Sequence, residues 1–204
     1  MSDTRQQIIQ RADELIRRRG FNAFSYTDIS GPLDIRNAAV HYYFPSKSDL
    51  GAAVIDAELQ QVKAYRSGSV DLPGDEQLKL LVCMFYRNNN AHLICLMGSL
   101  TPDYDTFDHP LQQKVEQMCR AVREWVTELL ESARTAGRLH FAGTAGDRAM
   151  LVISSLLSSL LLSRVLGGDV FERMLDQLLR DIGASWRIAD LDPRKINTPE
   201  RNTI

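Results

Sequence analysis

The sequence predicts an all-α protein, an N-terminal three-helix helix-turn-helix module followed by a larger helical bundle. Three observations carry that prediction. Ile8, Ala12, Leu15 and Ile16 recur at i, i+4, i+7 and i+8, one face of a helix, and similar periodicity runs along most of the chain. No segment sustains apolar/polar alternation, and no Asn-Gly or Asp-Gly hairpin turn occurs. Between Ser25 and Phe44, two short helical segments flank a tight turn.

The elements follow in order. Ser2 or Asp3 caps the first helix, and Arg17-Arg18-Arg19-Gly20 closes it with cations near the negative end of its dipole and a terminal glycine. The three arginines read as a solvated helix end. Ser25 with Asp28 has the form of a capping box and opens a helix of about two turns containing Ile29 and Leu33. Asp34-Ile35 makes the turn, Asn37 to Phe44 forms the next helix, and Pro45-Ser46-Lys47 ends it and caps a helix from Lys47 to Tyr65. Four helices remain, over Asp75 to Asn89, Pro110 to Ala136, Thr144 to Leu166 and Val170 to Arg187. The boundaries are a helix-turn-helix domain at 1–46, a helical domain at 47–187 and a polar tail at 188–204.

Composition excludes several classes. The 25% charged and 44% hydrophobic residues match a globular chain rather than a disordered one. The formal net charge of -2 excludes a uniformly basic coat but not one basic face. Residues 1–66 carry nine Lys+Arg against eight Asp+Glu, and the remainder fifteen against eighteen. Cys83, Cys95 and Cys119 are too few and too scattered for a disulfide framework or a zinc motif. The polar start of the chain lacks the apolar stretch of a signal peptide, so a cytoplasmic protein is expected. Ala149 to Leu166 is long and apolar enough to span a bilayer, but five serines and an arginine interrupt it. Ser155, Ser159 and Ser163 make a small-residue stripe, read as a close helix–helix contact in a bundle or subunit interface rather than a membrane span.

The short helix–turn–helix unit carries the chemistry. Its second helix is the element that enters the major groove. Ile29, Leu33, Ile35, Val40 and Phe44 face inward against Leu15, Phe21 and Phe24, leaving Arg36, Asn37, Ala38, Ala39, His41 and Tyr42 outward. Asn37 can pair with an adenine edge and Arg36 with guanine or phosphate, while Ala38 and Ala39 let the backbone sit deep. Arg36 is equally suited to solvation, and His41 to lining the groove. Tyr26, Thr27, Tyr42, Tyr43 and Lys47 offer hydroxyls and an ammonium suited to phosphates, though Tyr43 also fits a packing role.

Gly20-Phe21, then Tyr26-Thr27-Asp28-Ile29, then Val40-His41-Tyr42-Tyr43-Phe44-Pro45-Ser46-Lys47-Ser48-Asp49-Leu50 closely resembles the signature of TetR-family transcriptional regulators. There the run into the next helix reads much like L-Y-x-H-F-x-S-K-x-x-L. The resemblance covers about the first 50 residues. It implies that Asn37, Ala38 and His41 approach bases, that Tyr26, Ala39, Tyr42, Tyr43 and Lys47 hold phosphates, and that Thr27 reaches a base. Three departures stand out. Gly31-Pro32 sits where helix formers are usual, Asp34 replaces the turn glycine, and Ala39 lacks the common hydroxyl.

The resemblance further implies a ligand-binding bundle, a homodimer, double-stranded operator DNA and an unidentified small-molecule effector, with no cofactor and no membrane partner. Candidate pocket residues are Met84, Phe85, Asn88, His92, Cys95, Met97, Tyr104, Phe107, Trp125, Met150 and Ser154. In the family's arrangement the last two long helices pair across a two-fold, which puts Ser155, Leu156, Ser159, Leu160, Ser163, Leu175 and Leu178 at the dimer interface. Catalytic and metal-binding residues are not expected. The four histidines lie in unrelated contexts, and no H-E-x-x-H, G-x-S-x-G, Walker or Rossmann pattern occurs. The expected function is that of a repressor released by its effector. An activator, or a protein-interaction module with a vestigial helix-turn-helix, are the alternatives.

Overall fold

The computed structural model describes residues 3–191, all of whose regular elements are helical. They are α1 (Asp3–Arg19), α2 (Thr27–Ser30), α3 (Asn37–Tyr43), α4 (Lys47–Gly68), α5 (Gly74–Asn90), α6 (Leu96–Leu100), α7 (His109–Thr135), α8 (Ala145–Leu166) and α9 (Val170–Asp181), with three short 3-10 turns. The chain divides into two compact units. Unit 1 comprises residues 3–61 and 95–119; unit 2 comprises 62–94 and 120–191. The division is not linear, because α6, the turn after it and the start of α7 belong with the N-terminal helices rather than with the later bundle.

In unit 1, α1 buries Ile8, Ala12, Leu15 and Ile16 against Ile29, Val40 and Phe44 of the helix-turn-helix. Leu50, Val54 and Ile55 of α4 and Leu96, Leu100, Leu111 and Met118 complete that core. Fully burying such a side chain is worth about 1.5–3 kcal/mol. Ser25 donates from its N–H and its hydroxyl to Asp28 Oδ2 at 2.8 and 2.9 Å, and these bonds hold the Asp28 carboxyl below its ordinary range. The expected two-turn helix is only Thr27–Ser30, because Gly31-Pro32 follows immediately and Pro32 has no N–H to continue it. Asp34 takes the left-handed conformation (φ 52), and the Asp34 and Ile35 N–H groups bond back to Gly31 O and Ser30 O, closing the turn. A second capping box starts α4: Ser46 N–H donates to Asp49 Oδ2 and Asp49 N–H to Ser46 Oγ, both at 3.0 Å. Of the three arginines read as solvated, Arg17 is instead 2% exposed and ion-paired.

In unit 2, α8 lies against α5 and α9. Val152, Leu156 and Leu160 join Phe171, Leu175 and Leu179 among the fully or almost fully buried residues. The start of α5 comes so close to α7 that a methyl at Gly74 would run into Leu129 O and lie 2.7 Å from Ala133 N. Helix α9 ends six residues before the expected Arg187. Gly183 (φ 68) donates to Arg180 O and Ala184 N–H to Leu179 O, a glycine-centred C-cap hidden inside the periodic run. The chain stays packed beyond it, with Trp186 and Ile188 buried and Ile188 N–H donating to Asp176 Oδ1 at 3.0 Å. The expected polar tail is therefore ordered over its first residues, and 192–204 lie outside the described residues. Helix α8 is long and apolar enough to cross a membrane, but one of its faces is buried within unit 2.

Candidate nucleic-acid interface

Helix α3 is seven residues long, so it has one inner line and one outer face. Val40 is fully buried. Asn37, Ala38, His41 and Tyr42 are exposed, with Tyr42 80% exposed, and Arg36 lies exposed at the N-cap. Spacing by one and four places these side chains on one face of the helix. Ala39 and Tyr43 are half-buried at its flanks. Tyr43 meets Tyr42 edge to face, with ring centroids 5.2 Å apart.

Several candidate residues hold the module together as well as facing outward. Tyr26 donates its hydroxyl to Phe44 O at 2.8 Å, tying the start of α2 to the end of α3. Burial, with Asp49 nearby, pushes this phenol up to about 12. The Tyr26 ring packs on His41 at 4.6 Å, fixing that imidazole on the outer face. Ser30 donates its hydroxyl to Asn37 Oδ1, which orients the amide while its nitrogen takes no part in that bond. Thr27 is exposed and its hydroxyl meets Ser25 Oγ at 2.6 Å.

Lys47 departs from the expected phosphate clamp. Its ammonium donates to Phe24 O and sits 4.1 Å from the Phe24 ring centroid and 5.0 Å from that of Phe21. Burial pulls its pKa down. It is a pin inside unit 1, joining the start of α4 to the loop after α1. Sequence reasoning also missed Arg5, whose guanidinium lies 5.1 Å from the Phe44 ring centroid. Residues so far apart in sequence leave no local signal.

The expected pocket residues fall in both units. Cys95, Met97, Tyr104 and Phe107 belong to unit 1. There Cys95 caps α6 by accepting from Gly98 N–H, and burial pushes its thiol up to about 11, which keeps it protonated. Tyr104 donates to Glu116 at 2.7 Å, and Phe107 packs edge to face on Phe21. In unit 2, Phe85, Asn88 and Trp125 are buried, Met84 is half-buried, and His92, Met150 and Ser154 are exposed. His92 is the left-handed residue (φ 54) that closes α5, a backbone role. An open groove of about 440 Å³ in unit 2 is lined by Arg123, Thr127, Thr144, Asp147 and Met150 among others, and takes only Met150 from the expected set.

The expected interface residues also sit differently. Leu156, Ser159, Leu160, Leu175 and Leu178 are buried inside the protomer, and Ser155 and Ser163 are half-buried, with Ser163 donating to Asn89 at 2.8 Å. The small-residue stripe therefore packs inward. The unpartnered apolar face of α8 is another one: Met150, Leu151, Leu161, Leu162 and Val165, with Ser154 between them. Among the described residues, no group of three His, Cys, Asp or Glu side chains is arranged to hold a metal ion.

Residues 8–54 match the family model for bacterial regulatory proteins of the tetR family. An uncharacterised HTH-type transcriptional regulator of Lactococcus lactis subsp. lactis is 26% identical over 139 residues, 65% of this chain and 70% of that one. A TetR transcriptional regulator from Legionella pneumophila superposes with a TM-score of 0.79 at 27% identity, covering 89% of this chain and 98% of that one. A TetR-family regulator from Agrobacterium tumefaciens gives 0.78 at 28% identity, over 88% and 97%. With the exposed α3 face and the capped turn behind it, these matches make residues 8–54 a helix-turn-helix module of the tetR-family type, in a chain similar over most of its length to TetR-family transcriptional regulators.

Proposed function

We propose that this regulator is a homodimeric repressor that leaves a palindromic operator when a small molecule binds unit 2. The observation that carries the reading is the outer face of α3. Asn37, Ala38, His41 and Tyr42 stand exposed together while Val40 and the Tyr26–Phe44 bond hold the helix from behind. Asn37 and His41 read base edges, Arg36 and Tyr42 engage phosphates, and Ala38 allows close approach. Dimerisation is supported by the apolar α8 face, which stays exposed on a single protomer. A two-fold dimer reads two half-sites about one helical turn, ~34 Å, apart or at a multiple of that spacing.

Effector action follows from the continuity of α4. It starts beside the end of α3 and runs from residues of unit 1 into residues of unit 2. Tilting it changes the separation of the two recognition helices, so an effector with different affinity for the two spacings shifts the operator equilibrium. The buried, unpartnered Trp125 Nε1–H in unit 2 supports an effector there, since it is a donor awaiting an acceptor.

The test is a footprint on the DNA flanking the gene, with and without extracted cellular metabolites. A symmetric protected site that fades with the extract supports the proposal. An extract-insensitive site sinks effector release, and an asymmetric one sinks the palindrome. Transcription that falls when the gene is deleted makes the protein an activator.

A further inference from the structure

Arg17 is an unusual core residue. It projects from α1 into unit 1 with 2% exposure. Its Nε donates to Asp13 Oδ1 at 2.7 Å, one turn back on α1, and its Nη2 donates to Glu58 Oε2 at 2.8 Å, across to α4. Burial by itself lowers a guanidinium's pKa, but the Glu58 and Asp13 carboxylates outweigh it and hold Arg17 above its ordinary value. Ile16 of α1 and Val54 and Ile55 of α4 share one apolar core, and apolar packing tolerates small slides.

We propose that Arg17 and Glu58 are positioning residues for operator binding, a buried pin that sets the angle between α1 and α4. The pin acts by leverage. Helix α3 packs on α1 and is joined to α4 through Phe44, Pro45 and Ser46, so the angle between α4 and α3 has a hinge at that junction. Glu58 lies eleven residues beyond Lys47, about 16 Å along the helix at 1.5 Å per residue. At that radius, about 1 Å of slack is a tilt of only 3–4°. Directional, charge-assisted hydrogen bonds have little slack, whereas Leu50, Val54 and Ile55 alone would leave the tilt free. Moving α4 off the pin strands a mostly buried Glu58 carboxylate (17% exposed), which penalises every other angle.

The inference rests on the two-fold dimer described above, and its test separates the two. Full-length protein carries an unnatural spin-label residue in place of the exposed Ala23, and the label-to-label distance is measured across the dimer. Affinity is measured for the duplex that the unsubstituted protein selects from a randomised library. Arg17→Met alone lowers the melting temperature by stranding Glu58. The double variant Arg17→Met/Glu58→Met strands no Glu58 charge, takes the arginine only from the more exposed Asp13 (24%), and melts between Arg17→Met and the parent. It is nevertheless expected to bind the duplex at least tenfold more weakly, with a visibly broader distance distribution. Arg17→Lys keeps the charge but loses the fork and is expected to fall between; it serves as well should the double variant fail to fold. A folded double variant, or failing that Arg17→Lys, with parental affinity and an unbroadened distribution overturns the inference and leaves the dimer standing. Absence of any inter-subunit distance in the parent overturns the dimer and the pin with it.

Discussion

The two units solve packing in different ways. In unit 1, helices are joined by polar contacts as well as by a core: Arg17 to Glu58, Lys114 to Asp56, Tyr26 to Phe44 O, Lys47 to Phe24 O and Tyr104 to Glu116. In unit 2, α8 and α9 meet mainly through aliphatic and aromatic side chains. Among the described residues, the buried polar atoms left without a partner all lie there: Asp75 Oδ1, Trp125 Nε1, Arg148 Nε, Glu172 Oε2 and Trp186 Nε1. Directional bonds fix orientation, which a groove reader needs. Unpaired buried polar atoms leave unit 2 with groups that a polar ligand could satisfy, as the proposed effector requires.

The sharpest way to break this contrast is at α8. Leu151 and Val165 lie on its exposed face, and Leu156 lies on its buried one. Glutamate at both Leu151 and Val165 is expected to weaken the dimer about 10³-fold, near 4 kcal/mol, by placing like charges across the two-fold. Sedimentation velocity would then show folded monomers. Leu156→Glu should instead unfold unit 2. An unchanged sedimentation coefficient for the surface variant removes this face from the interface.

The next effect compares two glycines. A methyl at Gly74 meets the backbone of α7, which cannot yield, whereas a methyl at Gly51 meets the Phe21 ring at 2.8 Å and Leu111 at 3.2 Å, side chains that can shift. Gly74→Ala is expected to cost about 3 kcal/mol and Gly51→Ala about 1 kcal/mol. At about 2–4 °C per kcal/mol for a chain of this size, thermal melts should differ by several degrees. The reverse order would mean that the α5–α7 contact is looser than it stands here.

Within unit 1 the interface and its support should separate cleanly. Asn37→Ala is expected to weaken operator binding about tenfold, since a good base contact is worth about 1–3 kcal/mol, and to lower the melting temperature by only a few degrees through the lost bond from Ser30. Tyr26→Phe should cost about 1 kcal/mol of stability through the lost bond to Phe44 O. Lys47→Ala should lower both, because its ammonium is an internal pin. Loss of binding with an unchanged melt for Lys47→Ala would restore it to the phosphate contacts.

Legibility in the sequence followed the range of the interaction. The helix-turn-helix was readable because its signals are local: Ser25 with Asp28, Asp34 in the turn, and Pro45-Ser46 before α4 each act within a few residues. The burial of Arg17 and the inward turn of Lys47 were not, because their partners Glu58 and Phe24 lie 41 and 23 residues away. The end of α9 was missed because Gly183 sits among residues that keep a helical period after the helix has stopped. Helix α8 failed for a different reason. It is apolar nearly all round, so the pattern gives no direction, and serines that look like an approach surface serve equally well for packing α5.

The smallest predicted effect uses acid to tell the units apart. Asp28 is held below its ordinary pKa by the Ser25 N–H and hydroxyl and then by Arg19, and Asp108 by the Ser48 hydroxyl and the Leu111 N–H. Glu14 is raised by partial burial but lowered overall by Arg18 and Arg11. A carboxylate whose folded pKa is depressed stabilises the fold above its unfolded pKa, and that contribution disappears as pH falls through the folded value. The window therefore opens below about pH 4. All three groups lie in unit 1, while Trp125 and Trp186 both lie in unit 2, so tryptophan emission reports the other unit. On acidification, the amide NMR signals of α1 and α2 are expected to collapse at a higher pH than the emission shift, and Asp28→Asn should narrow the gap. Simultaneous loss would mean that the two units melt as one, and an emission shift that comes first would put the acid-sensitive contacts in unit 2.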